Sequence, residues 1–221
     1  MPRCLELFCG TKSVGNVFQQ YGYEIVSLDF NPKFNATHTV NILEWDFKQY
    51  APDYFDVIWA SPDCTTFSVA TGGKYRTKAN IYGLDNAHRP QSNLANAMVL
   101  KVIEILKYFK CKAWFMENPR GLLQHFPPLI DFIKGTNSSK GLVYYGNYGW
   151  GFPKATNIWS NLPLWTENKP IMAEDTYSMH TLGNGIVRRY YNASKFKGTE
   201  ERSKIPPDLI HRLYELIPRI I

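Results

Sequence analysis

Cysteine is scarce in this chain of 221 residues: Cys4, Cys9, Cys64 and Cys111 are all there are, and none forms a C-x-x-C pair. A zinc framework or a secreted disulfide scaffold is therefore not expected. At this length about 70% of the chain's surface can be buried, so one large domain needs no covalent staple. No apolar run reaches the roughly 18 residues of a membrane span, and no leader pattern opens the chain; a soluble, intracellular, cytoplasmic protein is the expectation. Internal repeats and low-complexity tracts are missing too. So are the G-x-G-x-x-G fingerprint and the P-loop, since Lys12 does not follow a second glycine. Excess charge is modest: 25 Lys and Arg against 19 Asp and Glu give +6. That balance permits a polyanionic partner without requiring one.

What is present alternates. Residues 3–8 read as a strand, Gly10 to Ser13 as a tight turn, and Val14, Val17, Phe18 and Tyr21 as the apolar face of a helix ended by Gly22. Further strands are expected at 24–28, 38–42, 55–60 and 112–117, with a late hairpin at 141–146 and 157–162. Helices are expected from Leu94 to Phe109, around 129–133, and from Leu209 to Ile217 after Pro206-Pro207. Strands alternating with helices predict an α/β fold, a mostly parallel sheet covered on both faces.

Two strands end in reactive groups. Residues 55–60 run into Ser61-Pro62-Asp63-Cys64, and residues 113–116 run into Glu117-Asn118-Pro119. Such ends sit at the carboxyl edge of a parallel sheet, where α/β enzymes place their chemistry. A thiolate there can add to an electron-poor ring carbon while a nearby acid engages a ring nitrogen. At the first strand, Gly10 and Gly15 allow a ligand close to the backbone. Asp29, about twenty residues on, suits the two hydroxyls of a ribose, and Asp46 could accept from an adenine amino group. A plain β–α turn with surface aspartates fits the same residues.

The motifs together resemble the cytosine-C5 DNA methyltransferases. Leu5-Glu6-Leu7-Phe8-Cys9-Gly10 is similar to their first motif, Ser61-Pro62-Asp63-Cys64 to their nucleophile motif, and Glu117-Asn118-Pro119 to their Glu-Asn-Val motif. The likeness covers residues 3 to about 162, and it is strongest to the short enzymes of phages and large DNA viruses. It implies a Rossmann-like class I methyltransferase fold, with a mostly parallel seven-stranded sheet and a much reduced target-recognition lobe. It also implies S-adenosyl-L-methionine as cofactor, double-stranded DNA as partner, and a base flipped out of the helix. Cys64 would attack C6 of cytosine while Glu117 engages N3, with Asn118 helping to hold Glu117 and the base. Phe8, Gly10 and Pro62 would line the cofactor site, with Asp29 and Glu6 on its polar groups and Asp46 on adenine. A viral setting would place the protein in host cytoplasm or nucleus.

The family pattern is not complete. Asp63 stands where a proline usually precedes the cysteine, and Thr65 where glutamine follows. Asp63 is expected to face away from the thiol, because neighbouring side chains in extended chain point to opposite faces. The supporting Arg-x-Arg is missing; Lys154, Thr156 and Arg120 are its nearest substitutes. Lys74, Arg76, Lys78, His88 and Arg89 lie in the polar segment 65–91 and are expected to meet phosphates. Arg188, Arg189, Lys195, Lys197, Arg202 and Lys204 form a second basic run. The expected organisation is a catalytic domain at 1–164, a small recognition-like lobe at 165–204, and a C-terminal helix at 205–221 that packs back. So small a lobe implies short or relaxed sequence specificity. An RNA (tRNA) cytosine-C5 methyltransferase and a non-catalytic nucleic-acid-binding relative are the alternatives.

Overall fold

A computed structural model describes residues 1–85, 87–170, 177–181, 187–191 and 198–218. Lys195 and Lys197 of the second basic run lie outside these. Seven strands form one sheet: β1 (Arg3–Leu7), β2 (Glu24–Asp29), β3 (His38–Thr39), β4 (Val57–Ala60), β5 (Ala113–Pro119), β6 (Ser139–Tyr144) and β7 (Ala155–Ser160). Their spatial order is β3-β2-β1-β4-β5-β7-β6. All pairings from β3 to β5 are parallel, whereas β7 runs antiparallel between β5 and β6.

Side chains alternate across the central strands, as the two-residue period demands. Leu5, Leu7, Ile58, Ala60, Trp114 and Met116 pack on one face under α2 (Arg89–Tyr108) and α3 (Pro127–Gly135). Cys4, Val57, Trp59, Ala113 and Phe115 pack on the other under α1 (Ser13–Gln20) and, nearest the end of the chain, a helix over Pro207–Tyr214. Covering both faces explains why these strands read as continuous apolar runs. The same alternation puts Glu6 and Glu117 on the α1 side.

Several boundaries differ from the sequence expectation. The third strand is two residues long, not five; Ile42 is buried with Trp45 and Phe47 in a loop, so its apolar character reflects burial without pairing. Helix α2 begins five residues earlier than its apolar face, because Arg89 to Asn93 make a polar first turn with Pro90 inside it. In the expected lobe a two-stranded antiparallel ribbon, β8 (Tyr177–Thr181) with β9 (Val187–Tyr191), precedes the short α4 (Thr199–Ser203); the Pro207–Tyr214 helix is α5. Among the described residues no helix is long and apolar enough to cross a membrane.

Candidate active site

At the end of β1 the backbone reverses sharply. Phe8 (φ 58°), Gly10 (φ 47°) and Lys12 (φ 58°) all take left-handed conformations. This turn brings Gly10 N–H onto Asp29 Oδ2 at 3.0 Å, while Asn31 N–H reaches Asp29 Oδ1 at 2.9 Å. Asp29 is thus fixed by backbone donors beside the turn. The next residue, Phe30, is 71% exposed, a bare ring at the same sheet edge. Glu6 is buried under the start of α1, accepting from Val14 N–H at 3.2 Å and Gly15 N–H at 3.0 Å. Burial outweighs those two donors and lifts its carboxyl to about 8. The contact explains Gly15, since a Cβ there would stand 2.6 Å from Glu6 Oε2.

Cys64 lies just past the end of β4 and Glu117 near the end of β5, two parallel neighbours paired at Ala60 and Met116. Asn118 on β5 donates Nδ2–H to the Pro62 carbonyl at 2.9 Å, tying the nucleophile turn to the strand of the acid. The thiol is pushed up to about 11 by burial first and then by Glu117; Lys154 acts in the opposite direction and Asp63 adds to the rise. Asp63 is exposed and turns into its own loop, where Oδ1 accepts from Thr65 N–H at 3.2 Å and Thr65 Oγ1–H at 2.7 Å. The Asp63 and Thr65 departures therefore complete one Asx-type turn.

Glu117 is 4% exposed. Its Oε1 accepts the Tyr145 hydroxyl at 2.9 Å and lies 3.5 Å from Lys154 Nζ. Tyr145 gave no sequence signal: one tyrosine among fourteen, in a Tyr-rich stretch, reads as core.

A cavity of about 520 Å³ joins the two ends, running from Phe8, Gly10 and Ser13 to Cys64, Glu117 and Lys154. Glu6, Pro62 and Arg202 also line it. Asp29 is not among the lining residues but holds Gly10, which is. Asp46 is not brought to this cavity; it is exposed and accepts from Lys48 N–H in a 3-10 turn. Lys74, Lys78 and Arg89 are exposed on or beside the polar segment, and Arg120 is exposed next to β5.

Two expected nucleic-acid contacts are corrected. Thr156 is completely buried in β7 and does not line the cavity. Arg76 is 1% exposed and faces inward. Its Nη1 donates to Ile81 O at 2.9 Å and Asn96 Oδ1 at 2.8 Å, and Nη2 to Thr66 Oγ1 at 2.6 Å. Its guanidinium carbon sits 3.7 Å from the Phe67 ring centroid. A guanidinium so enclosed is closed to phosphate. It anchors the segment after the nucleophile, and Phe67 O in turn accepts from Leu122 N–H at 2.8 Å.

The strand order, the glycine turn after β1 and the reactive groups just past β4 and on β5 define a Rossmann-like class I methyltransferase architecture. The family model of the C-5 cytosine-specific DNA methylases matches residues 2–128, and the chain belongs to that family. A probable DNA (cytosine-5)-methyltransferase of Frog virus 3 (isolate Goorha) is 28% identical over 232 residues, covering 97% of this chain and 99% of the relative. Among solved structures, the methyltransferase EhMeth of Entamoeba histolytica superposes with a TM-score of 0.53 at 14% identity, over 81% of this chain and 58% of that one. The S. pombe Dnmt2 methyltransferase gives 0.50 at 13% identity, over 75% and 52%. The chain thus spans little more than half the length of these two structures, and the likeness is one of fold.

Proposed function

We propose that this protein methylates cytosine at C5 in double-stranded DNA through a covalent bond between Cys64 and C6. One observation carries the reading: Cys64 and Glu117, on adjacent parallel strand ends, line one cavity with the Phe8–Gly10 turn. Attack of the thiolate on C6 while Glu117 engages N3 makes C5 nucleophilic; after C5 is methylated, loss of its proton expels Cys64. The resting thiol is protonated at neutral pH, so base binding must favour its ionisation, and Lys154 is the cation that acts in that direction.

The cavity volume lies within the roughly 300–1,000 Å³ usual for ligand sites, which fits S-adenosyl-L-methionine. When bound, that cofactor supplies an electrophilic methyl group. Gly10 would admit it near the backbone, Asp29 would take the ribose hydroxyls, and the exposed face of Phe30 is available to adenine. Glu6 would support the site from below by holding the first turn of α1. Lys74, Lys78, Arg89 and Arg120 would supply phosphate contacts. The domain reading is residues 1–164 as catalytic unit, 165–204 as recognition lobe and α5 as a return onto the sheet. The lobe's small size supports short or relaxed target choice.

The test uses duplex DNA and tRNA in parallel, each with 5-fluorocytosine at the target, plus cofactor. A denaturation-resistant adduct on DNA that Cys64→Ala lacks is expected. An adduct on tRNA alone overturns the DNA assignment, and none on either overturns the mechanism. Bisulfite sequencing after expression in a methylation-free bacterium reads the target; a strict site of five or more bases contradicts relaxed specificity.

A further inference from the structure

Glu117 has two carboxylate oxygens in unequal surroundings. Tyr145 O–H and Lys154 Nζ both reach Oε1, and among the described residues no hydrogen bond reaches Oε2. Tyr145 is fully buried and lies behind Glu117, outside the cavity lining. Both groups come from one closed loop: Tyr145 N–H donates to the Lys154 carbonyl at 3.0 Å, and Trp150 N–H to the Tyr145 carbonyl at 3.2 Å. The Lys154 ammonium also sits 4.7 Å from the Tyr145 ring centroid. Burial and the neighbouring Glu117 carboxylate hold the Tyr145 phenol well above its ordinary range, so it remains a donor at every working pH.

We propose that Tyr145 is a positioning residue that fixes the Glu117 carboxylate from behind, occupying Oε1 so that Oε2 is presented to the target base. This rests on the assignment of Glu117 as the group that engages cytosine. A carboxylate on a flexible side chain can rotate about its terminal torsion, which is soft. A buried O–H on one oxygen removes that freedom. Tyr145 therefore sets the direction in which Glu117 meets the base.

Tyr145→Phe retains the ring and deletes the donor. Single-turnover methyl transfer is expected to slow about tenfold or more, as for loss of a hydrogen bond to a charged group, with KM for DNA little changed. Replacing Tyr145 with 3-fluorotyrosine keeps ring and hydroxyl and should leave methyl transfer near the wild-type rate. A purely structural role would lower the folded fraction without slowing the transfer step of the folded enzyme. If wild type methylates cytosine and Tyr145→Phe transfers the methyl group as fast per folded enzyme, the positioning role is overturned while the assignment of the site stands. If wild type methylates no cytosine, both fall together.

Discussion

The Asn118 side-chain amide donates to the Pro62 carbonyl at 2.9 Å, so the strand that carries Glu117 also holds the turn that carries Cys64. Nucleophile and acid are thereby set against each other by one buried bond. Asn118→Ala leaves that carbonyl without its donor, at a cost of about 1–3 kcal/mol. Urea unfolding should show this loss, and single-turnover methylation should fall by more than the folded fraction accounts for.

Gly15 admits no side chain. A Cβ would stand 2.6 Å from Glu6 Oε2 and 3.0 Å from Ile25 Cγ2. Gly15→Ala must displace the Glu6 carboxylate and break its bonds to the first turn of α1. A loss of about 1–3 kcal/mol in stability is expected from the overpacking. Calorimetry with S-adenosyl-L-homocysteine should show weaker binding, whereas unchanged affinity would separate this turn from the cofactor site.

Stability should depend on pH through Glu6. Its folded carboxyl ionises near 8, against an ordinary value of 4.5, because it is buried. Between those values the folded chain retains a proton that the unfolded chain has lost. The contribution of Glu6 is therefore complete below about pH 4.5 and is lost as pH rises through 8, at no more than about 1.4 kcal/mol per pH unit. Urea midpoints from pH 5 to 8 should fall in wild type and fall less in Glu6→Gln.

Cys64 should be a slow thiol at neutral pH. With its ionisation near 11, iodoacetamide should modify it progressively faster from pH 7 to 10. Glu117→Gln removes the largest charge opposing the thiolate and should accelerate alkylation at a given pH. Peptide mapping by mass spectrometry assigns the site; equal rates in the two proteins would contradict the coupling.

Arg76→Lys should fail as a conservative change. An ammonium cannot serve Thr66, Asn96 and Ile81 from one planar fork or lie flat on Phe67. Each acceptor left bare costs about 1–3 kcal/mol. Hydrogen exchange in residues 65–85 should quicken in this variant, while β1 and β4 remain protected.

Sequence and structure agree on where Cys64 and Glu117 lie, one just past an apolar strand and the other near the end of its neighbour. The alternating elements implied a mostly parallel sheet, as found. Polar burial was not legible. Arg76 sits among exposed polar residues, and a cation there reads as solvated; its partner Asn96 comes from a helix twenty residues away. Tyr145 meets Glu117 across 28 residues through the insertion of β7 between β5 and β6, a topology that periodicity cannot express. Thr156 was assigned by its place in a motif, and the strand phase turned it inward.

The enclosure of Arg76 has a chemical consequence. Phe67, Thr66, Asn96 and the Ile81 carbonyl amount to a receptor for a planar cation, and Arg76 is its tethered ligand, present at high effective concentration. Free guanidinium is the same headgroup without the tether. In an Arg76→Ala protein, low concentrations of a guanidinium salt should restore order to the segment after Cys64, while urea should not. For this protein the two common denaturants are then unequal agents, since one is also a mimic of a side chain on which the nucleophile's loop depends.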